Sequence, residues 1–599
     1  MNNEIKNAPP FESKNENEND NVIVNDESSV ALDTSDIEGG VNAGAENNQN
    51  FGSADTSQQP VQAIPLPVMQ PNVALPKKRF FVLPGRADIV FAIITFAVSL
   101  ISAYMGITGG FKLGFAISNA LCVGTVYMYT VIKRRRMSLF GTLCAIMAVL
   151  LGIPFALNNE AGLHFLSFAA IVVLIAFMLI NEFGVNRFDM GRYTAVFDAA
   201  IMWFGAPFKY VGSVFYSLFG TKNKEGRSNS SVIVIAGIAC AVPCAIIMIC
   251  LLMKGDIAFE QMMQKTIFGD LSRLGGSFVL GILIFSIVFT VMFALGSKMY
   301  APLTKENQRE FKGAISHIAV NSFFGVLSVV YILFVFSQLA YFFSAFSGVL
   351  PKEFTYADYA RRGFFDMCRV SALNLVFIAL ALMLTKKNEK GALPPSTRIF
   401  TLCAALFSVM LTAISAAKMV MYIQNYGLTV LRVSTSVFML WLFIVTLLIS
   451  IRILNARFSY MKILSIVTAV ILFAVSFVGI NSTVSKYNYY RYSSGISDEI
   501  DVYTIYGLTG DSGVPELIKL AKSKDSTVAN EAKIDLATIF TNYYDWHGDT
   551  GSFARYSEPD FTGYCFETER NARLLKENYD LFSRYIGYEN LAYYDQMYQ

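Results

Sequence analysis

Long apolar runs separated by short polar segments dominate the chain from about residue 87 to residue 480. A helix that crosses a bilayer needs roughly 20 predominantly apolar residues, and eleven runs approach or exceed that length. The pattern predicts an all-α fold, a polytopic integral membrane bundle of about eleven spans. The predicted spans cover residues 87–105, 112–132, 139–157, 162–181, 231–252, 274–297, 314–344, 364–384, 399–422, 429–451 and 460–480.

Two polar regions flank the predicted bundle, which occupies residues 77–480. Residues 1–76 are rich in Asn, Ser and Glu without a sustained period, which predicts a disordered acidic tail. Residues 481–599 contain stretches with helical apolar spacing, at 516–524 and 527–546, and we expect a further helix over 567–585. They predict a small soluble helical domain after the last span.

Composition agrees with a membrane protein and excludes an ordinary soluble enzyme. Hydrophobic residues make up 54% of the chain and charged residues only 16%, whereas soluble proteins carry about 25% charged residues. The net charge of +3 is the sum of −10 over residues 1–76, +20 over 77–480 and −7 over 481–599. Basic charge therefore accompanies the spans, so we expect the lipid bilayer and not nucleic acid as the partner.

The basic residues also predict the topology. Lys133–Arg136 follow the second predicted span and Lys386–Lys390 follow the eighth, and basic loops follow the fourth, sixth and tenth spans as well. Loops rich in Lys and Arg remain in the cytoplasm. The N-terminus is therefore predicted to be cytoplasmic and, with eleven spans, the C-terminal domain extracytoplasmic. We expect a bacterial cytoplasmic membrane.

The segment 187–220 is too polar to be counted as a span. Phe197, Ile201, Phe204 and Phe208 recur there at helical spacing. Two interpretations fit this amphipathic pattern equally well. The segment lies along the inner membrane interface, or it is a linker helix packed against the bundle.

No motif indicates enzymatic chemistry. The chain lacks a nucleotide-binding P-loop, an HExxH sequence and a GxSxG sequence, so we expect no catalytic residues and no cofactor. The three His residues are far apart, which gives a zinc site no support. His317 and Asn321 are one turn apart in the seventh predicted span, where hydrogen bonding between helices is the expected role.

Charged residues cluster where the eighth predicted span begins. Tyr359, Arg362, Asp366 and Arg369 are spaced three, four and three residues apart, which places them on one helix face. Asp366 is expected to pair with both arginines within that helix, and Arg361 lies at its start. Because an ionisable group in a bilayer costs roughly 2.5–3.5 kcal/mol on insertion scales, such a cluster needs a function or a partner.

The ninth span carries a second set of polar residues near its outer end. Lys418, Tyr422 and Asn425 share a face, Gly427 ends the helix, and Arg432 opens the tenth span. All these residues are predicted to lie at similar depth near the outer surface, where positive charge is unusual.

These two sets suggest an outward-facing anion site. Candidate ligands are a lipid phosphate or an anionic envelope polymer. An alternative interpretation is that the basic side chains extend to the interface and form internal ion pairs that fix helix packing. The candidate anion-binding residues are Arg361, Arg362, Arg369, Lys418 and Arg432, and the candidate orienting residues are Asp366, Tyr359, Tyr422 and Asn425.

The same stretches resemble a bacterial multi-pass membrane family, the domain of unknown function 4153/4173 type. The similar segments are YADYARRGFFDMCRVSALNL at 356–375, ISAAKMVMYIQNYGLTVLRV at 414–433, VSKYNYYR at 484–491 and IDVYTIYGLTGDSGVPELIKLA at 500–521. The family commonly has Arg near position 418, where this chain has Lys. The resemblance implies the fold and links the charged motifs, but it implies no activity.

Together these features predict a non-enzymatic envelope-associated scaffold or binding protein, with an anionic lipid, a polymer or another membrane protein as partner. The alternative is a transporter or lipid flippase, which predicts internal repeats or helices broken at mid-membrane; the sequence contains no clear repeat. A lipid-linked transferase is a third class, for which Asp366 is the only nearby outward-facing acid.

Overall fold

The computed structural model describes most of the chain after residue 83. The described residues are 84–134, 136–185, 195–219, 248, 252, 255–256, 270–299, 313–346, 364–386, 393–547, 552–555 and 560–586. All of them belong to the unit Lys78–Gln599. The predicted tail 1–76 lies outside the described residues.

Helices make up nearly all of the structure as far as Val478. In chain order they are α1 (Arg86–Gly109), α2 (Leu113–Arg134), α3 (Leu139–Leu150), α4 (Pro154–Leu157), α5 (Ala161–Phe183), α6 (Ala195–Ala200), a π-helical turn (Ile201–Gly205), α7 (Ala206–Phe219), α8 (Asp270–Gly296), α9 (His317–Phe346), α10 (Phe364–Leu384), α11 (Pro395–Tyr426), α12 (Val430–Leu454) and α13 (Tyr460–Val478).

Ten helical segments in the described part of the chain are long and apolar enough to cross a membrane. They are α1, α2, α3 together with α4, α5, and α8 to α13. The all-α polytopic prediction is confirmed, and ten of the eleven predicted spans are present. The predicted span at 231–252 lies outside the described residues, apart from Met248 and Leu252.

Helices α1 and α8 pack antiparallel through aromatic residues. Phe91 stacks on Phe289 with ring centroids 5.8 Å apart, and Phe96 meets Phe285 edge-on at 5.4 Å. Residue numbers rise along α1 as they fall along α8. The end of α1 and the start of α8 therefore lie on the same side, as the predicted alternation of span directions requires.

The segment predicted as either interfacial or packed forms α6, the π-helical turn and α7. The indole Nε1 of Trp203 donates to the carbonyl of Val172, at the middle of α5, over 3.1 Å. Met202 and Ala206 are buried in the main hydrophobic core. Phe197, Phe204 and Phe208 of the predicted apolar face are instead 57%, 76% and 85% exposed. Residues 195–219 therefore pack on the bundle through other side chains, and the predicted apolar face points away from it. Residues 187–194 and residue 220 lie outside the described residues.

A second hydrophobic core follows the last span and is formed by residues from Val502 to Phe582. Short helices surround it, as the apolar spacing predicts. The elements are α14 (Ile480–Ser493), α15 (Val502–Tyr506), a 3₁₀ turn (Gly510–Gly513), α16 (Val514–Leu520), α17 (Ser526–Tyr543), β1 (Tyr544–His547), β2 (Ser552–Arg555), a 3₁₀ turn (Phe561–Gly563), α18 (Phe566–Glu577), α19 (Tyr579–Phe582) and a 3₁₀ turn (Ser583–Tyr585).

Two parts of this region differ from the helical expectation. The predicted helix 567–585 is interrupted at Asn578, between α18 and α19, and its last residues form a 3₁₀ turn. The predicted helix 527–546 ends at Tyr543, and β1 then pairs antiparallel with β2, with Tyr544 opposite Arg555. Tyr544 has an extended backbone, and aromatic residues such as Tyr and Trp favour strands. Arg555 forms two hydrogen bonds of 2.8 Å with the Glu569 carboxylate, which ties the hairpin to α18.

Three turns of the bundle contact the C-terminal region. In the α1–α2 turn, the amide of Leu113 donates to the carbonyl of Tyr564 over 3.1 Å. Between α4 and α5, the amide of Asn159 donates to the Glu567 carboxylate over 3.1 Å. The α11–α12 turn contacts α14. All three turns follow odd-numbered predicted spans, so they share one side of the bundle with the C-terminal region.

Candidate anion site at one end of the bundle

The predicted site residues lie on three neighbouring helices. Helix α10 carries Asp366 and Arg369, α11 carries Lys418, Tyr422 and Asn425, and α12 carries Arg432. These helices pack side by side at this end, where Cys368, Met419 and Met439 form a small buried cluster. The remaining predicted residues, Tyr359, Arg361 and Arg362, lie outside the described residues.

On α10, Asp366 and Arg369 form the expected ion pair. Arg369 Nη1 lies 2.9 Å from Asp366 Oδ1, and the two side chains are 78% and 71% exposed, respectively. Val370 and Leu373 beside them are also exposed. The pair therefore lies on an exposed surface of α10, near the start of that helix.

On α11 the three predicted residues differ in exposure. Lys418 is only 9% exposed, whereas Tyr422 is half-buried and Asn425 is exposed. The Asn425 amide donates to the carbonyl of Met421 in its own helix over 2.8 Å. Lys418 thus lies inside the bundle, while Asn425 is at its surface.

Arg432 caps the turn between α11 and α12. Its Nη1 donates to the carbonyls of Tyr426, over 2.8 Å, and Gly427, over 2.6 Å. Its guanidinium lies 4.0 Å from the ring centroid of Tyr422. Cations stabilise the unpaired carbonyls of a helix C-terminus, so Arg432 has a structural role. The three described cations therefore differ in environment: Arg369 is exposed on α10, Lys418 is buried in the bundle, and Arg432 caps a helix.

Two residues of α14 that sequence reasoning did not single out hold the same turn. Asn488 accepts from the amide of Leu428 and donates to its carbonyl, both over 2.8 Å. Arg491 is 8% exposed, and its Nη2 donates to the carbonyl of Gln424 over 2.8 Å. Both residues lie in the segment 484–491 that resembles the family. That resemblance was the one feature of the sequence that could have pointed to them. Gly427 ends α11 at φ +73°, as the sequence predicts.

A second polar junction joins the α4–α5 turn to the start of α14. Glu160 is buried and accepts from the amide of Asn481 over 2.8 Å, while Asn158 donates to the carbonyl of Ser476 over 2.6 Å. The chain bends between these contacts at Gly479, where φ is +79°. Burial raises the pKa of the Glu160 carboxyl, while the backbone hydrogen bonds oppose the rise. Sequence reasoning singled out none of these residues.

At the opposite end of the bundle, Asp88 is a buried carboxylate that sequence reasoning missed. It is 4% exposed and lies 2.5 Å from Lys133 Nζ, at the end of α2. The Tyr129 hydroxyl donates to Asp88 over 2.7 Å, and the amide of Gly85 donates over 2.9 Å. Asp88 therefore joins α1 to α2, and Lys133 has a structural partner as well as its place in a basic loop.

Glu182, near the end of α5, is a second buried carboxylate at that end. It accepts from the Ser138 amide over 3.2 Å and from the Asn181 side chain over 3.0 Å. Lys462 of α13 donates to Asn181 over 2.6 Å. These contacts join α3, α5 and α13. In the sequence, the same side chains appear only as polar residues that flank the spans.

Inside the spans, Asn374 bridges α9 and α11. The Tyr331 hydroxyl donates to Asn374 over 2.8 Å, and Asn374 donates to Ser408 over 3.1 Å. Near the start of α9, Asn321 donates to Ser396 over 2.8 Å, so the expected role of Asn321 in hydrogen bonding between helices is confirmed.

Among the described residues, no group of His, Cys, Asp and Glu is placed to hold a metal ion.

The fold and this polar architecture define a polytopic α-helical membrane protein. Residues 145–520 match the family described as a domain of unknown function, DUF4153. The match covers more than half of the chain, so the protein belongs to that family, as the resemblance implied. Searches of curated proteins and of solved structures give no match.

Proposed function

We propose that this protein is a non-enzymatic membrane protein that binds an anionic lipid headgroup beside α10. In this proposal the protein resides in a bacterial cytoplasmic membrane. Its N-terminus is cytoplasmic, and the C-terminal region with the candidate site faces outward. The basic loops after the even-numbered spans support that orientation.

Arg369 is the observation that carries the proposal. Its guanidinium is largely exposed beside the exposed apolar residues Val370 and Leu373, five residues from the start of α10. At 1.5 Å per residue this is roughly 7.5 Å along the helix, within reach of the headgroup layer for an extended arginine. Within the described residues, Asp366 accepts one hydrogen bond from Nη1 of Arg369. The other N–H groups suit a phosphate, which guanidinium binds in a bidentate manner.

Exposure and hydrogen bonding support Arg369, rather than the other described cations, as the ligand in this proposal. Arg432 donates to two backbone carbonyls and packs on Tyr422, so it supports the shape of the site and is not offered as a ligand. Lys418 is enclosed by the bundle, so it is not offered as a ligand at the surface of α10. Arg361 and Arg362 precede α10 and remain candidate ligands from the sequence.

Mass spectrometry of lipids retained by the purified protein tests this proposal. We expect Arg369→Gln to weaken retention of anionic lipid roughly tenfold, because a charge-assisted hydrogen bond contributes about 1.5–3 kcal/mol. Asp366→Asn removes the competing carboxylate and should strengthen retention. The matched control is Arg457→Gln, an exposed arginine in the α12–α13 turn at the opposite end, which should leave retention on the Arg369 side unchanged.

The expected change is not a folding effect. An exposed ion pair contributes at most about 1 kcal/mol, so Arg369→Gln should keep the thermal stability of the wild type. Unchanged lipid retention in Arg369→Gln, with intact folding, contradicts the lipid site. That result would favour the alternative that the basic side chains form internal ion pairs and extend to the interface without binding lipid.

The buried Asn374 bridge favours a second candidate, a transporter or lipid flippase, because polar groups inside spans often mark a substrate path. The same purified variants discriminate the two functions after reconstitution into vesicles. A binding protein loses lipid retention in Arg369→Gln without moving lipid across the bilayer. A flippase accelerates transbilayer lipid movement, and Asn374→Leu abolishes that acceleration.

A further inference from the structure

Exposed aromatic residues line one edge of the C-terminal region. Phe561, Tyr564 and Phe566 are 63%, 38% and 52% exposed, while Thr562 and Cys565 between them are buried. The short segment thus turns its small residues inward and its aromatic residues outward. Exposed aromatic side chains of this kind, grouped along one edge, indicate a binding surface.

The position of this edge is fixed by two membrane-spanning helices. The hydroxyls of Thr108 and Thr562 lie 3.0 Å apart, and the Leu113 amide is bonded to the Tyr564 carbonyl. At Gly109 a Cβ atom would lie 2.2 Å from the Thr562 carbonyl oxygen. The segment is therefore seated directly on the turn where α1 ends and α2 begins.

The turn itself adds one more aromatic residue. Phe111 lies between the two spans and is 59% exposed. We call Phe111, Phe561, Tyr564 and Phe566 the aromatic edge. Because spanning helices end where the hydrocarbon layer meets the headgroups, the aromatic edge lies at that boundary, where aromatic side chains are enriched.

We infer that the aromatic edge is inserted into the headgroup layer and anchors the C-terminal region to the membrane surface. Lipid is the occupant because the edge is continuous with the ends of two spans and carries rings next to polar backbone. This surface is separate from the candidate anion site on α10. A negative result for the aromatic edge therefore does not count against the lipid site at Arg369, and a negative result for that site does not count against the aromatic edge.

Fluorescence quenching by lipids brominated near the headgroup tests this inference. In the full-length protein with its three Trp residues replaced by Phe, single Trp residues are introduced as Phe561→Trp and Phe566→Trp. Both are expected to emit at shorter wavelength than exposed Trp and to lose about half of their emission in brominated vesicles. The control is Thr527→Trp, at the exposed start of α17, which packs on other elements of the C-terminal region; it should lose almost none.

Two results would overturn the inference. One is quenching of both aromatic-edge variants no greater than that of Thr527→Trp. The other is equal quenching by lipids brominated near the headgroup and by lipids brominated at the chain ends, since a fixed interfacial position predicts stronger quenching by the former. Elution of each variant as a single species of wild-type size verifies folding.

Discussion

Replacing Lys133 with Met should lower the free energy of unfolding by about 3–5 kcal/mol, the usual cost of leaving a buried charge without its partner. Asp88 is 4% exposed and lies 2.5 Å from the Lys133 ammonium. The hydrogen bonds from Tyr129 and Gly85 remain in the variant, but they do not neutralise the carboxylate. Reversible unfolding in mixed micelles of mild detergent and dodecyl sulfate measures the change.

A double variant separates the charge from the loss of packing. Asp88→Asn combined with Lys133→Met removes both charges and keeps an amide oxygen that accepts from Tyr129. It should recover most of the lost stability, because a neutral pair avoids the desolvated carboxylate. A loss below about 1 kcal/mol in Lys133→Met, or a double variant no more stable than the single one, would show that this ion pair does not stabilise the α1–α2 contact.

Gly427→Ala should lower the free energy of unfolding by about 3 kcal/mol. The backbone of Gly427, at φ +73° and ψ −171°, lies in a region that is essentially restricted to glycine and costs another residue about 1–3 kcal/mol. In addition, a Cβ atom there would lie 2.6 Å from Asn488 Oδ1 and 3.0 Å from Arg491 Nη1. The variant would therefore displace α14 from the α11–α12 turn.

Gly110 provides a control with the same backbone requirement. It has φ +63° and ψ −149°, and a Cβ atom there would meet nothing within 4 Å. Gly110→Ala should thus show the backbone cost alone. The excess in Gly427→Ala, about 1–2 kcal/mol for the disturbed hydrogen bonds, measures how strongly α14 is held. Equal losses in the two variants would contradict that contact.

Much of the fold follows from the sequence because spans depend on local composition. Each run of about 20 apolar residues predicts a helix regardless of its neighbours, and ten helices in the described residues occupy predicted runs. The segment with Trp203 was ambiguous for the same reason. Its amphipathic pattern fits an interface or a helix partner equally well. The structure has a contact of Trp203 with Val172 on one side of the segment and exposed Phe204 and Phe208 on another.

The candidate site was harder to predict because the roles of its cations depend on contacts distant in sequence. Helical spacing correctly pairs Asp366 with Arg369, three residues apart. Spacing alone does not indicate that Arg432 reaches back to the carbonyl of Gly427. It also does not indicate that Arg491, more than 60 residues later, reaches the carbonyl of Gln424. Neither contact leaves a periodic signal.

The central claim is that the C-terminal region and the turns it contacts face outward. Thiol labelling of whole cells with a membrane-impermeant maleimide tests it most directly, in a background without the eight native Cys residues. Ser494→Cys, exposed after α14, should be labelled in intact cells, whereas Asn455→Cys, exposed in the α12–α13 turn at the opposite end, should be labelled only after lysis. The reverse pattern, with Asn455→Cys labelled in intact cells and Ser494→Cys protected, would contradict the claim.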